Sequence, residues 1–478
     1  MNNQRLELVA DFYEYTMANG YFNKNMEDRI AYFDVFFRKV PDEGGYAIVA
    51  GLEQIINYIR NLSFDEEDIS YLRKQNKFSE EFLNYLENFR FTGDIWAIPE
   101  GTVVFPNEPL ITVKAPIIQA QLLETMLLLT TNHQSLIATK TSRIVKEAQG
   151  RAVMEFGARR AHGINAAVEG ARAAIIGGAV GTSCTLSAKE FNVPASGTMA
   201  HSWIQSFDSE YEAFKAYAEL YPDDCTFLID TYNTIESGLP NAIKVFNEVL
   251  KPKGYRPKAV RLDSGDLAYL SKKVRKILDE AGYEDCKICA TNSLDEYLIK
   301  SLIEQDAKID LFGVGENLIT AKSEPVFGGV YKLVALEKDK KIVPKIKVSE
   351  NTAKVTNPSF KKVYRFYDNE TKKAIADVIT LADEIIDERE YMIFDPQNPW
   401  KKKVLKDYSI RVLQEKIFEN GKLVYKNPEL KEIAKYSKKE LDSMWEEVKR
   451  IENPHKYYVD LSKKLWILKN NMLNNIYF

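Results

Sequence analysis

The most concentrated polar group in the chain is Arg261-Leu262-Asp263-Ser264-Gly265-Asp266. Residues two apart on a strand point to the same side of the sheet, so Arg261 and Asp263 share a face. A guanidinium offers a planar fork for a carboxylate or phosphate. A carboxylate beside it suits ribose hydroxyls or a hard cation. The plainer reading is an Arg–Asp pair followed by a helix cap. His201 stands in Gly197-Thr198-Met199-Ala200-His201-Ser202-Trp203, a small-residue loop that lets backbone and ligand come close. A lone His of this kind is more often a hydrogen-bonded structural residue than a reactive one. Asp230 ends the apolar run Phe227-Leu228-Ile229, where a carboxylate can orient an imidazole and fix its tautomer. The next position, Thr231, is where a second acid would complete a ribose-holding pair. Arg159 and Arg160, after Phe156-Gly157, read either as a phosphate clamp or as a solvated helix side. Gly313-Val314-Gly315 and Asn292-Ser293 can present backbone N–H groups to an anion.

Other chemistries are absent from the sequence. Histidines occur only at 133, 162, 201 and 455, too scattered for a metal cluster. Cys286 and Cys289 form a single C-x-x-C without a second pair, so they read as small residues on a strand rather than half of a zinc site. No G-x-x-x-x-G-K-[ST], G-x-S-x-G or G-x-G-x-x-G occurs, which removes P-loop, α/β-hydrolase and dinucleotide-fingerprint readings.

These residues need elements to hold them. From about residue 150, short apolar runs end in polar or Gly-rich residues and helical segments follow. The run ends are Glu155-Phe156-Gly157, Gly181-Thr182-Ser183, Asp230-Thr231-Tyr232, Asp263-Ser264-Gly265-Asp266, Thr291-Asn292-Ser293 and Gly313-Val314-Gly315. After Asp266, Leu267, Leu270, Val274, Ile277 and Leu278 fall on one helical face, and Gly282 stops the helix. Ser293 and Glu296 suggest a capping box for the next helix, with Leu294, Leu298, Leu302 and Ile303 as its stripe. Repeated strand–loop–helix units predict a parallel sheet whose chemistry sits at the C-terminal ends of its strands, as in a βα barrel. Upstream, Ile30–Phe37 reads as an apolar strand, Asp94–Val113 as short antiparallel strands and Leu122–Leu129 as a buried helix. Beyond about residue 340 the chain is Lys-rich, for which a solvated surface is expected, and Lys439–Asn475 reads as charged and helical.

With 65 Lys+Arg against 69 Asp+Glu in 478 residues, the near balance argues against a dedicated nucleic-acid or membrane-surface binder. The N-terminus lacks a signal-peptide pattern and Ala173–Ala188 is short of a membrane span. A cytoplasmic protein is expected.

Several stretches together resemble the nicotinate phosphoribosyltransferases, among the barrel-type phosphoribosyltransferases. They are ADFYEYTMANGYF (10–22), FDVFFRKVPDEGGYAIVAGLE (33–53), EFGARRAHG (155–163), GTMAHSWIQSF (197–207), LIDTYNTIESGLPNAIKV (228–245), VRLDSGDL (260–267) and FGGVYKLV (327–334). The resemblance implies an irregular βα barrel over 131–340 and a discontinuous, sandwich-like α+β domain. That domain combines residues 1–130 with a C-terminal segment, 341–478. It implies transfer of a phosphoribosyl group from 5-phosphoribosyl 1-diphosphate to nicotinate, with Mg²⁺, in NAD salvage. The transfer is coupled to ATP through a phosphohistidine. His201 matches the phosphorylated residue and Asp230 the carboxylate that positions it. Arg261 matches the arginine for the nicotinate carboxylate, with Thr198 nearby. Phe156 and Tyr13 match the aromatic pair around the pyridine ring, Tyr13 coming from the second subunit of a homodimer. Arg159 matches a phosphate contact, Asp263 a residue near the ribose, and Gly313 and Gly315 lie in the sugar-diphosphate loop.

Ser183 falls where similar nicotinamide-using enzymes carry an Asp that accepts from the carboxamide; a serine does not repel a carboxylate, which favours nicotinate. Quinolinate, with two carboxylates, calls for more cations than the matched positions supply. Intact His201, Asp230 and Arg261 argue against a catalytically silent sensor. No Schiff-base Lys or general-base pair on a strand end supports an aldolase or isomerase. Two positions depart from the family pattern. Asn233 stands where a second Asp is frequent, and Glu316 where a small hydroxyl residue is common.

Overall fold

The structure, a computed structural model, describes residues 6–351, 354–386 and 389–475. Its packing divides the chain into two units, Met1–Leu136 with Val326–Phe478, and Ile137–Pro325.

The second unit holds the parallel sheet. Its strands run in the order Ala152–Glu155, Leu311–Val314, Lys287–Ala290, Ala259–Leu262 and Thr226–Leu228, all parallel. Each is only three or four residues long and apolar almost throughout, the pattern of strands covered on both faces. Phe227, Leu228, Val260, Leu262, Ile288 and Ala290 are fully buried. Isolated parallel bridges add Thr182 beside Glu155 and Ala195 beside Thr182. Ala195 to Thr198 at one edge and Thr226 at the other line a single cavity of about 700 Å³. The sheet therefore curves around its own interior, as an irregular βα barrel does, although no strand pair joins its two edges among the described residues. Between strands the expected helices form. Asp266 caps Leu267–Glu280 by accepting from the Tyr269 N–H, and Leu267, Val274 and Leu278 face inward. Gly282 follows with a positive φ of 79°.

In the first unit, N-terminal and C-terminal segments share one antiparallel sheet. Its order is Lys341–Pro344, Gly329–Lys338, Ile30–Phe37, Ile111–Pro116, Asp94–Ala97, Glu415–Glu419 and Lys422–Leu423. A second sheet pairs Tyr408–Val412, Lys361–Asp368, Ala374–Leu381 and Tyr458–Leu461. The discontinuous α+β architecture is thus present. Its interior contains charge as well as apolar side chains. Asp34 accepts from the Thr112 hydroxyl at 2.7 Å and pairs with Lys361 at 2.8 Å. Arg365 makes a bidentate pair with Asp377 and a further bond to Glu440 at 3.2 Å, which Arg411 also holds.

Four local expectations are corrected. Leu122–Leu129 is not one buried helix: a short helix, Ile117–Gln121, precedes a long one, Glu124–Glu147, and Leu129 is 54% exposed. The Ser293/Glu296 capping box does not form. Asn292 and Ser293 adopt left-handed φ values of 83° and 49°, so the helix starts later, at Glu296–Glu304, with Asp295 as its cap. This turns Leu298 outward and buries Glu296 against Lys140 and Arg143. The solvated reading fails for Lys361, whose ammonium is buried against Asp34; burial lowers its pKa and the Asp34 charge opposes that. Finally, Lys439–Asn475 is not continuously helical but runs from the helix Leu430–Ser443 through the strand Tyr458–Leu461 to the helix Lys463–Asn474.

Candidate active site

The parallel register sets the geometry. Leu228 is level with Arg261, so Asp230 lies level with Asp263 on the neighbouring strand. Asp230 Oδ2 accepts the Asp263 N–H at 2.8 Å and the Ser264 hydroxyl at 2.7 Å. Its Oδ1 is buried without a partner. Asp230 therefore anchors the turn after the next strand and does not hydrogen-bond the imidazole it was expected to position. His201 opens the short helix His201–Gln205. Its Nδ1 lies 3.1 Å from Thr231 Oγ1, and its Nε2 lies 3.7 Å from Asp263 Oδ2.

Arg261 is held on three sides. Its Nε donates to Thr291 Oγ1 at 3.0 Å and Nη2 to Asp263 Oδ1 at 3.0 Å. Its Nη1 donates to Thr198 Oγ1 at 3.1 Å and to the Met199 carbonyl at 3.4 Å. Burial pushes the Asp263 carboxyl up, but the Thr291 hydroxyl, the Arg261 guanidinium and His201 outweigh it and hold it below the usual carboxylate range. The Arg–Asp pair and the Asp266 cap of the plainer sequence reading are both present. They coexist with a guanidinium and an imidazole that converge on one carboxylate.

Phe156 follows the strand Ala152–Glu155, and its N–H donates to the Val314 carbonyl at 2.7 Å. Gly313 makes room for it: a Cβ there would lie 2.5 Å from the Phe156 ring and 2.7 Å from Thr291 Cγ2. At Gly315 a Cβ would lie 3.2 Å from the Phe156 carbonyl. The turn is fixed from beneath by buried Glu155, which accepts from the Gly157 N–H and, at 2.6 Å, from the Thr182 hydroxyl. Burial raises the Glu155 pKa. Ser183, exposed, donates its N–H to the Glu155 carbonyl at 2.9 Å. Arg159 is exposed on the turn Ala158–Arg160.

Arg261, Asp263, Thr198 and, through the 263–264 turn, Asp230 thus form one hydrogen-bonded group, and His201 Nε2 approaches its Asp263 carboxylate at 3.7 Å. Phe156, Gly313 and Gly315 form a second, and Thr291 touches both. Tyr13 belongs to the first unit, half-exposed on the helix Phe12–Phe22. Burial and then the Glu124 carboxylate push its phenol up.

Two contributors were not singled out from sequence. Thr291 and Thr231 were visible only within the six polar run ends, Thr231 also as the place where an acid was missing. Cys289 lies on the strand Lys287–Ala290 and Cys286 just before it; both are buried, and burial pushes both thiols up to about 12. No group of three or more His, Cys, Asp or Glu side chains arranged for a metal occurs among the described residues. No helix among them is long and apolar enough to cross a membrane.

Fold and site together define a pyridine phosphoribosyltransferase-like α/β protein. The crystal structure of human nicotinic acid phosphoribosyltransferase matches with a TM-score of 0.86 and 27% identity, over 97% of this chain and 99% of that one. Family models for the nicotinate phosphoribosyltransferase N-terminal domain, family and C-terminal domain match residues 8–132, 151–379 and 360–469. The nicotinate phosphoribosyltransferase of Bacillus subtilis (strain 168) is 46% identical over 472 residues, covering 98% of this chain and 96% of its own. One from Mycobacterium tuberculosis is 46% identical over 360 residues, 75% of each chain. The chain belongs to the nicotinate phosphoribosyltransferase family.

Proposed function

We propose that this chain transfers the phosphoribosyl group of 5-phosphoribosyl 1-diphosphate to nicotinate, releasing diphosphate, and couples the transfer to ATP hydrolysis. The observation that carries the reading is Arg261, a cation fixed by Thr198, Thr291 and Asp263 at the end of a parallel strand, beside a group that contains Phe156. A flat aromatic acid needs an aromatic face and a bidentate cation. Four of the five Arg261 N–H groups are engaged. The free one is on Nη2, and the long bond to Met199 is the one that yields when a carboxylate docks across Nη1 and Nη2.

His201, with Asp263 beside Nε2, is placed to take the γ-phosphoryl group of ATP. The ring's lone pair forms the N–P bond, the P–O bond to ADP breaks, and ADP leaves with the electron pair. The Asp263 carboxylate balances the charge that develops on the ring. Phosphorylation then adds negative charge and strong acceptors to the loop 197–203 and orders it over the bound substrates. Mg²⁺ fits the donor set: Asp230 Oδ1 is an unpartnered carboxylate oxygen and Asp263 lies beside it. Held there by Asp230 and Asp263, the ion would supply positive charge against the departing diphosphate. Arg159 is the exposed cation for phosphate, and Tyr13 is the second aromatic face, contributed across a homodimer. The setting is NAD salvage in the cytoplasm.

Incubation with ATP labelled at the γ-phosphate, followed by peptide mapping, tests the coupling. Acid-labile label on the peptide that contains His201 is expected. Its absence from enzyme that makes nicotinate mononucleotide sinks the phosphohistidine step and spares the transfer.

A further inference from the structure

We infer that Thr231, rather than Asp230, is the positioning residue for His201; the inference rests on the phosphohistidine reading above. The two oxygens of Asp230 are accounted for without the imidazole. Oδ2 is taken by the Asp263 N–H and the Ser264 hydroxyl, and Oδ1 is buried without a partner. The nearest polar neighbour of the His201 ring is the Thr231 hydroxyl, 3.1 Å from Nδ1.

The environment of the other ring nitrogen fixes what that contact does. Nε2 faces the Asp263 carboxylate, with Oδ2 at 3.7 Å. An anion beside Nε2 favours the tautomer with its proton there. Nδ1 then carries the lone pair, and the Thr231 hydroxyl donates to it. A hydroxyl suits this task better than a carboxylate would. Thr can donate to a bare ring nitrogen, which an ionised Asp cannot. It can also rotate away as a phosphoryl group approaches and then donate to a phosphoryl oxygen. Two adjacent acids at this strand end would leave Nδ1 facing an acceptor. The Thr that looks like a defect in an acidic pair is thus the residue the imidazole requires.

The backbone makes the placement possible. Asn233 caps the turn Thr234–Gly238 by accepting from the Ile235 and Glu236 N–H groups. That turn is a π-type turn, a form frequent at functional sites. It is pressed against its own strand: a Cβ on Gly238 would lie 1.9 Å from the Ile229 carbonyl oxygen. Thr231 therefore lies between the buried strand end and a capped turn, which fixes its backbone beside the imidazole.

The test compares wild type with Thr231→Val and Thr231→Ser in the full-length enzyme. The nitrogen-15 shift of His201 Nδ1, assigned by its loss in His201→Asn, is expected to move toward that of an unbonded ring nitrogen in T231V and to stay put in T231S. Phosphorylation of His201 from ATP is expected to slow roughly three- to tenfold in T231V, the loss of one neutral hydrogen bond, and to recover in T231S. KM for nicotinate is expected to stay within about twofold, since Arg261 keeps its partners. Unchanged Nδ1 shift and phosphorylation rate in T231V overturn the role of Thr231. Wild type that is active yet never labelled overturns the phosphohistidine reading instead, and the nitrogen-15 comparison still decides the contact. If T231V does not fold, T231S carries the test, because a slowed, shifted T231S contradicts hydroxyl rescue.

Discussion

Replacing Gly313 with alanine tests whether the Phe156 ring is a substrate face or only a packed side chain. An added Cβ would lie 2.5 and 2.6 Å from two ring carbons and 2.7 Å from Thr291 Cγ2. Carbon contacts settle near about 3.5–4.0 Å, so something must move by about 1 Å. Thr291 resists, because Arg261 Nε donates to its hydroxyl and that hydroxyl bonds Asp263. The Phe156 backbone resists too, through its bond to Val314. The ring is only partly buried, so it swings. Overpacking costs about 1–3 kcal/mol of stability. Losing an aligned aromatic face costs the pyridine about 0.5–1.5 kcal/mol, which is roughly a two- to twelvefold rise in KM for nicotinate.

The assay is steady-state diphosphate release with each substrate varied, alongside denaturant unfolding. KM for 5-phosphoribosyl 1-diphosphate, measured in parallel, shows whether the sugar-diphosphate loop that carries Gly313 is disturbed as well. A stability loss with unchanged nicotinate KM would leave the steric argument intact and remove Phe156 from the pyridine site. No change in either quantity would refute the close approach itself. A double mutant sharpens this: in a Phe156→Ala background, Gly313→Ala should cost less stability than it does alone.

Three further outcomes follow from other parts of the chain. Arg365→Ala strands the buried carboxylate of Asp377; Tyr457 still donates to Asp377 and Arg411 still holds Glu440, so a loss near about 3 kcal/mol in denaturant unfolding is expected, the low end for a broken buried pair, and a loss under about 1 kcal/mol contradicts it. Glu14 is pushed up to about 7 by burial, with the Thr125 hydroxyl opposing; the folded state keeps a proton that the unfolded chain sheds near 4.5, so stability falls as pH rises between those values and then levels. Glu14→Gln should flatten that stretch of the profile, and parallel profiles for the two proteins would refute the assignment. Ser183→Asp places a carboxylate where nicotinate would dock, so it should weaken nicotinate use and admit nicotinamide; an unchanged preference in a competition assay counts against the position.

Much of the barrel unit was legible because its code is short-range. Strands such as Phe227–Ile229 are apolar on both faces and end in polar residues, and those at 259–262 and 287–290 lead into capped helices. Arg261 and Asp263 could be placed on one face from strand geometry alone. What escaped depends on registers between strands distant in sequence. Asp230 was expected at His201 because it ends its strand, but the register with the next strand gives its carboxylate to the Asp263–Ser264 turn. The capping error at Ser293 came from two left-handed residues that propensity does not anticipate. Lys361 was read as solvated because its buried counter-charge, Asp34, is more than three hundred residues earlier in the chain.

The departure at Glu316 now has a physical account. An acid just beyond Gly313-Val314-Gly315 would repel a sugar diphosphate if it stood alone. It does not: Lys322 Nζ lies 2.7 Å from Oε1 and Arg160 Nε 3.9 Å from Oε2. The Lys322 bond, assisted by Arg160, holds its carboxyl below the usual range. Two cations around one carboxylate leave a local surplus of positive charge, which would attract an anion rather than repel it. The compensation is local, since Lys322 lies six residues after Glu316 and Arg160 follows Arg159. A Glu at this position and the cations around it therefore form one electrostatic unit, and substituting Lys322 should harm anion binding more than substituting Glu316.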